Sequence, residues 1–145
     1  MPSVAPAETR ARLLLDLRIE PGAEAMRLVR GQVRSLLIDD GFGDEQVESA
    51  LLGLDEVLMN ACTHGGATSQ QEPVELAIEL HADRVVFEVG DRGVYETKNG
   101  KGKAKLPADD SESGRGLFLI HRTMDEVRFE PREGGGTRVR LVKRR

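Results

Sequence analysis

The sequence predicts an α+β domain: a two-layer sandwich in which about three helices cover one face of a mixed, mainly antiparallel sheet. Three features lead there. Apolar and polar residues alternate in several short runs, as half-buried strands require. Apolar residues recur at helical spacing in two longer runs. The runs follow the order strand, helix, helix, strand, strand, long loop, helix, strand, strand, and the last two strand pairs are joined by turns short enough for hairpins.

Taken in order, Leu13, Leu15, Leu17 and Ile19 alternate with Leu14, Asp16 and Arg18 and predict the first strand, which Glu20-Pro-Gly22 ends. Met26, Val29, Val33, Leu36 and Leu37 then predict a helix of about four to five turns, stopped at Asp39-Asp-Gly41. Asp44 is the expected N-cap of a second helix that runs to about His64 and closes at Gly65-Gly66. Val74 to Leu80 and Arg84 to Val89 alternate on either side of His81-Ala-Asp83 and predict a hairpin. Arg92 to Ser113 has almost no periodicity and reads as a long mobile loop, a length that usually marks function or disorder. Gly114 is expected to open a third helix reaching about Met124, and Val127-Phe129 and Thr137-Val142 form a last hairpin across Arg132 to Gly136.

With 145 residues, 39% of them hydrophobic, the chain suffices for one domain with a real core, expected over residues 11–145 behind a disordered tail at 1–10. Lys and Arg number 21 against 25 Asp and Glu, a net charge of -4 that gives no general attraction to nucleic acid or an anionic membrane. Cys62 is the only cysteine, which excludes an internal disulfide and a cysteine-based zinc cluster and fits a reducing compartment. No apolar stretch approaches the ~18 residues of a membrane span, and Met1 to Arg12 lacks a signal-peptide core, so a cytoplasmic location is expected.

The chemistry starts on the second helix. At ~100° per residue, Glu56, Asn60 and His64 fall within ~80° of one another, beside an apolar stripe of Val47, Leu51, Leu54, Leu58 and Ala61. An amide oxygen is a hard ligand suited to Mg²⁺, and a carboxylate on the same edge can take a proton from an attacking hydroxyl. A solvated helix face would show the same two residues. Asp91 follows the apolar strand Val85 to Val89, with Gly90 and Gly93 around it; a carboxylate there can accept from an exocyclic amine, and an ordinary turn would use the same residue types. Gly114-Arg-Gly116 ahead of Leu117, Leu119 and Ile120 has the composition of a phosphate cradle at a helix start, with Arg115 as a forked cation, although a single G-x-G also suits a plain helix start. The phosphate-binding pattern G-x-x-x-x-G-K-[ST] is absent from the sequence.

In this order, the motifs E-x-x-x-N-A-x-x-H-G, D-x-G, G-x-G-L-x-L-I, M-D-E-V and a G-G-T strand resemble the GHKL ATPase fold, and more closely the bacterial anti-sigma-factor serine protein kinases of the RsbW and SpoIIAB type, over roughly Leu13 to Lys143. The resemblance implies an ATP- and Mg²⁺-dependent protein serine kinase. It implies that Asn60 ligates Mg²⁺ on the ATP phosphates and that Glu56 is the general base for the acceptor serine. Asp91, with Gly93 and Thr137 beside it, would hold the adenine, and Gly114, Arg115 and Gly116 the phosphates, with Val94 to Ser113 as the lid. It further implies a STAS-domain anti-anti-sigma protein as phosphorylation substrate, a sigma factor as a second partner, and a homodimer.

One position departs from the pattern: many members read D-x-G-x-G, and Tyr95 stands at the second glycine, which removes a flexible joint at the base of the lid. Lys98, Lys101, Lys103 and Lys105 in that loop are read as solvated, His64 as a structural hydrogen-bonder, Cys62 as a buried small hydrophobe, and Arg27, Arg30 and Arg34 as facing solvent. Two other function classes fit the same residues: a nucleotide-gated anti-sigma or partner-binding module without useful kinase activity, and the catalytic domain of a histidine kinase, which would need an acceptor-His helix that this chain does not carry.

Overall fold

A computed structural model describes residues 11–20, 22–62, 73–91 and 111–145. Among them the elements run β1 (Leu13–Ile19), α1 (Ala23–Asp39), α2 (Asp44–Asn60), β2 (Val74–Leu80), β3 (Arg84–Asp91), α3 (Ser111–Thr123), β4 (Glu126–Pro131) and β5 (Thr137–Arg144), in the predicted order. The expected tail at 1–10, the loop residues 92–110, and His64, Gly65 and Gly66 lie outside the described residues.

The alternation in each strand sets which face is buried. Leu17 pairs with Leu76, Leu76 with Val89, and Val89 with Val139, so one parity of every strand lands on one side. On that side Leu76, Ile78, Val85, Phe87, Val89 and Leu141 join Val33 and Leu37 of α1, Leu51, Leu54 and Leu58 of α2, and Ile120 of α3 in a single core. The helices therefore cover one face. The opposite face carries Glu75, Glu88, Arg132, Arg138 and Arg140, which pair across the strands: Arg132 with Glu75, and Arg138 and Arg140 with Glu88 at 4.0 and 3.8 Å.

The sheet order is β1-β2-β3-β5-β4, and every described pairing is antiparallel, so the expected mixed, mainly antiparallel sheet has no parallel pair among the described strands. Two hairpins account for β2/β3 and β4/β5. The α1–α2 pair carries the chain back so that β2 runs against β1, and β5 enters the sheet against β3.

Two helix starts also differ from expectation. Gly43 rather than Asp44 takes the N-cap of α2, in extended conformation and with no side-chain cap, while its carbonyl accepts from Val47 N–H at 2.9 Å. Asp44 and Glu45 lie in the first turn instead, where their charge meets the positive end of the helix dipole. Helix α3 begins at Ser111, three residues before Gly114, because Ser-Glu-Ser is acceptable first-turn composition even without an apolar residue to give it periodicity. Gly114 and Gly116 are thus inside the helix rather than in front of it.

Helix α1 closes with a left-handed glycine: Gly41 has φ of +90°, its N–H donates to Ile38 O at 3.0 Å, and Phe42 N–H reaches back to Leu37 O at 3.0 Å. This Schellman pattern satisfies the last carbonyls and drops Phe42 into the core beside Leu37. Helix α2 then packs against both neighbours. Arg30 pairs with Asp55 at 3.0 Å and Arg34 with Glu48, so two of the three arginines read as solvent-facing also tie α1 to α2; Arg27 and Arg30 are exposed and Arg34 is half-buried.

Candidate active site

The site forms where α2 ends, α3 begins and β3 meets β5. Glu56 and Asn60 stand one turn apart on α2, and both are half-buried. After Asn60 the helix widens into a π turn at residues 61–62, a feature often found at functional sites. The Nδ2 atom of Asn60 is buried and has no hydrogen-bond partner among the described residues. An unpaired amide held out of water is costly, so its retention points to a polar ligand at that position.

Helix α3 runs antiparallel to α2 and approaches it at two glycines. A Cβ built on Gly53 of α2 would fall 2.5 Å from Thr123 Oγ1 and 3.0 Å from Met124 Cε. A Cβ on Gly116 of α3 would fall 2.9 Å from Glu56 Oε2. Gly116 is buried and Glu56 faces it across the helix pair. Sequence reasoning placed Gly116 with the phosphates and missed this contact; the available signal was a glycine inside a run of helix formers, Gly-Leu-Phe-Leu-Ile.

Asp91 and Thr137 are directly opposed at the end of the β3–β5 ladder, on the helix-facing side, with only 2% and 1% of their surfaces exposed. Strand β3 extends two residues past the predicted end, so Asp91 is the last residue of the strand itself. Beside them, burial pushes the pKa of the Cys62 thiol up, a hydrogen bond from the Gly22 backbone lowers it, and the Asp91 charge raises it further. Cys62 is half-buried rather than fully buried as expected, because it sits at the rim where α2 ends near Gly22.

The structure therefore brings Glu56, Asn60 and Gly116 together on the α2–α3 pair, and Asp91 and Thr137 together at the strand ends. Gly114 lies on the α3 backbone two residues before Gly116, while the Arg115 side chain, Gly93, Tyr95 and the lid lysines lie outside what is described. Next to the site, a groove of about 470 Å³ between the start of α1 and the end of α2 is lined by Met26, Arg27, Arg30, Asp55, Met59 and Cys62. The Asp55 carboxyl is held above its ordinary value of 3.8 by burial, which outweighs the opposing pull of Arg30 and Arg34.

A helical pair thus covers an antiparallel sheet, with a buried carboxylate at a strand end and an acid–amide pair on the covering helix, and the class of domain follows from its family. The family profile described as histidine kinase-like ATPase domain matches residues 19–143, and the chain belongs to this family. Within it the chain is similar to the serine-protein kinase RsbW of Staphylococcus epidermidis, 29% identical over 125 residues that cover 78% of this chain and 76% of that protein. It is also similar to RsbW of Bacillus cereus, 26% identical over 127 residues covering 83% and 79%. Among solved structures, the RsbU and RsbW domains of Rv1364c from Mycobacterium tuberculosis superpose with a TM-score of 0.68 at 23% identity, covering 91% of this chain but only 32% of that longer one. The SiaB–SiaC complex from Pseudomonas aeruginosa superposes with a TM-score of 0.62 at 18% identity over 94% and 93%. These two share the fold. Among the described residues no helix is long and apolar enough to cross a membrane.

Proposed function

We propose that the chain is an ATP-dependent protein serine kinase that acts as a partner-switching anti-sigma regulator, with a STAS-domain antagonist as its phosphoryl acceptor. The observation that carries this reading is the placement of Glu56 one turn from the unpaired Asn60 amide and against Gly116, with the buried Asp91–Thr137 pair at the strand ends. The relatives named as serine-protein kinases support the reaction class.

In this reading Asp91 accepts a hydrogen bond from the adenine amine, and Thr137, opposite it, lines the same pocket. Gly93 lets the backbone approach the base, and Gly114, Arg115 and Gly116 border the phosphates. Asn60 fits a hard cation: its Nδ2 is buried and unpaired among the described residues, and half a turn about its last torsion presents the oxygen in the place of Nδ2. Among those residues no group of three or more His, Cys, Asp or Glu could hold a metal by itself, so Asn60 would act together with phosphate oxygens and water. A bound Mg²⁺ would supply positive charge against the phosphates, and Asn60 is the residue that would hold it there. Glu56 takes the proton from the acceptor serine as its oxygen bonds to the γ-phosphorus of ATP and the bond to the β–γ bridging oxygen breaks, releasing ADP, and Glu56 itself is half-buried on the α2 edge. A sigma factor is the second partner in this account, and the working species is a homodimer in the cytoplasm.

The test is transfer of the γ-phosphate of ATP to STAS-domain proteins from the same genome, with wild-type chain and Glu56→Gln. The kinase reading expects labelled serine that Glu56→Gln reduces by about 10² to 10⁴ while ATP binding persists. ATP binding without transfer to any such protein, and without an effect of Glu56→Gln, would establish a nucleotide-gated binding module instead.

A further inference from the structure

We propose that Gly116 is a positioning residue for Glu56: the missing side chain at 116 leaves the room in which the Glu56 carboxylate points at the acceptor. This rests on the reading of Glu56 as the general base. The geometry separates it from the usual reasons for a glycine. Gly116 lies inside α3, and its φ is not among the positive ones, so its backbone suits any L-residue. A glycine within a helix costs stability relative to alanine. What a Cβ would meet first is Glu56 Oε2 at 2.9 Å, with Glu56 Cδ following at 3.9 Å, a carboxylate at the end of a flexible side chain.

That end can move, and it is the reactive end. At Gly53, the other close approach of the same helix pair, the atoms in the way belong to Thr123 and Met124, which are buried in the packing. A methyl group at 116 therefore leaves the fold intact and rotates the carboxylate away, whereas a methyl group at 53 strains the fold itself. A residue that served only to bind phosphate or to flex would leave Glu56 where it is.

The experiment compares wild type, Gly116→Ala, Glu56→Asp and the double variant by thermal melting, calorimetric titration with magnesium–ATP, ADP formation from magnesium–ATP, and the ¹³C signal of the Glu56 carboxyl. The expected pattern for Gly116→Ala is a melting temperature equal to or above wild type, ATP affinity within about threefold, ADP formation down about tenfold or more, and a displaced Glu56 carboxyl signal. Glu56→Asp shortens the acid by one methylene and removes the clash, so the double variant should be no slower than Glu56→Asp alone. Unchanged carboxyl signal and turnover in Gly116→Ala, or strict additivity of the two losses, would overturn the assignment. A large loss of ATP affinity with normal turnover at saturation would do so too, because the side-chain position at 116 would then act on the bound nucleotide and not through Glu56, whereas a purely backbone contact to the phosphates survives Gly116→Ala. If the wild-type chain forms no ADP without an acceptor protein, the carboxyl signal alone decides whether residue 116 governs the position of Glu56, and an unchanged signal in Gly116→Ala overturns the assignment.

Discussion

Asp91 stands opposite Thr137 in the last step of the β3–β5 ladder, and both are buried on the helix-facing side of the sheet. A carboxylate at that depth is tolerated only with hydrogen-bonding partners, and the end of an apolar strand is a rigid place from which to hold a base. Asp91→Asn keeps the shape but replaces one acceptor oxygen by a donor. ATP affinity should fall by about 2 kcal/mol, or roughly 30-fold, with the far-ultraviolet spectrum unchanged. Calorimetric titration checks it, and an unaltered affinity would remove Asp91 from the nucleotide site.

The two helix glycines away from the base separate packing from propensity. Gly53→Ala places a methyl group 2.5 Å from Thr123 Oγ1, and should destabilise the fold by about 1–3 kcal/mol despite the better helix former. Gly31→Ala meets nothing within 4 Å in the middle of α1 and should stabilise by about 0.5–1 kcal/mol. Urea denaturation of both gives the comparison, and equal shifts of the same sign would contradict the α2–α3 approach described above.

How much of this could be read beforehand depends on how local the cause is. The alternation at Leu13–Ile19 and the helical spacing from Met26 to Leu37 are local patterns, and those elements appear where expected. The all-antiparallel order is not local, since it depends on where β5 docks against β3 after a loop, α3 and β4. The start of α3 was missed because Ser111-Glu-Ser has no apolar residue to reveal its turn. The candidate residues Glu56, Asn60 and Asp91 stood out by type and spacing, yet the contact of Gly116 with Glu56 joins positions sixty residues apart by sequence count and becomes visible only when the helices are packed.

Acid titration offers a check on the groove beside the site. Burial raises the folded-state pKa of Asp55 above its ordinary 3.8, so the stability linked to its proton is fully present below the unfolded value and is lost as pH rises through the folded value. Asp55→Asn removes that loss. The melting temperature of Asp55→Asn minus that of wild type should therefore become more positive between about pH 3 and about pH 6. A difference that is flat or falls over this window would mean that the pairing with Arg30 dominates over burial.

A nucleotide site that depends on Asn60 is the central prediction. The most direct measurement is calorimetric titration of ATP into the purified chain with and without Mg²⁺, repeated with Asn60→Ala. Magnesium-dependent binding to the wild-type chain, weakened about tenfold or more in Asn60→Ala, is the predicted result. No heat of binding to the wild-type chain at about a millimolar ATP, with or without the metal, would contradict it.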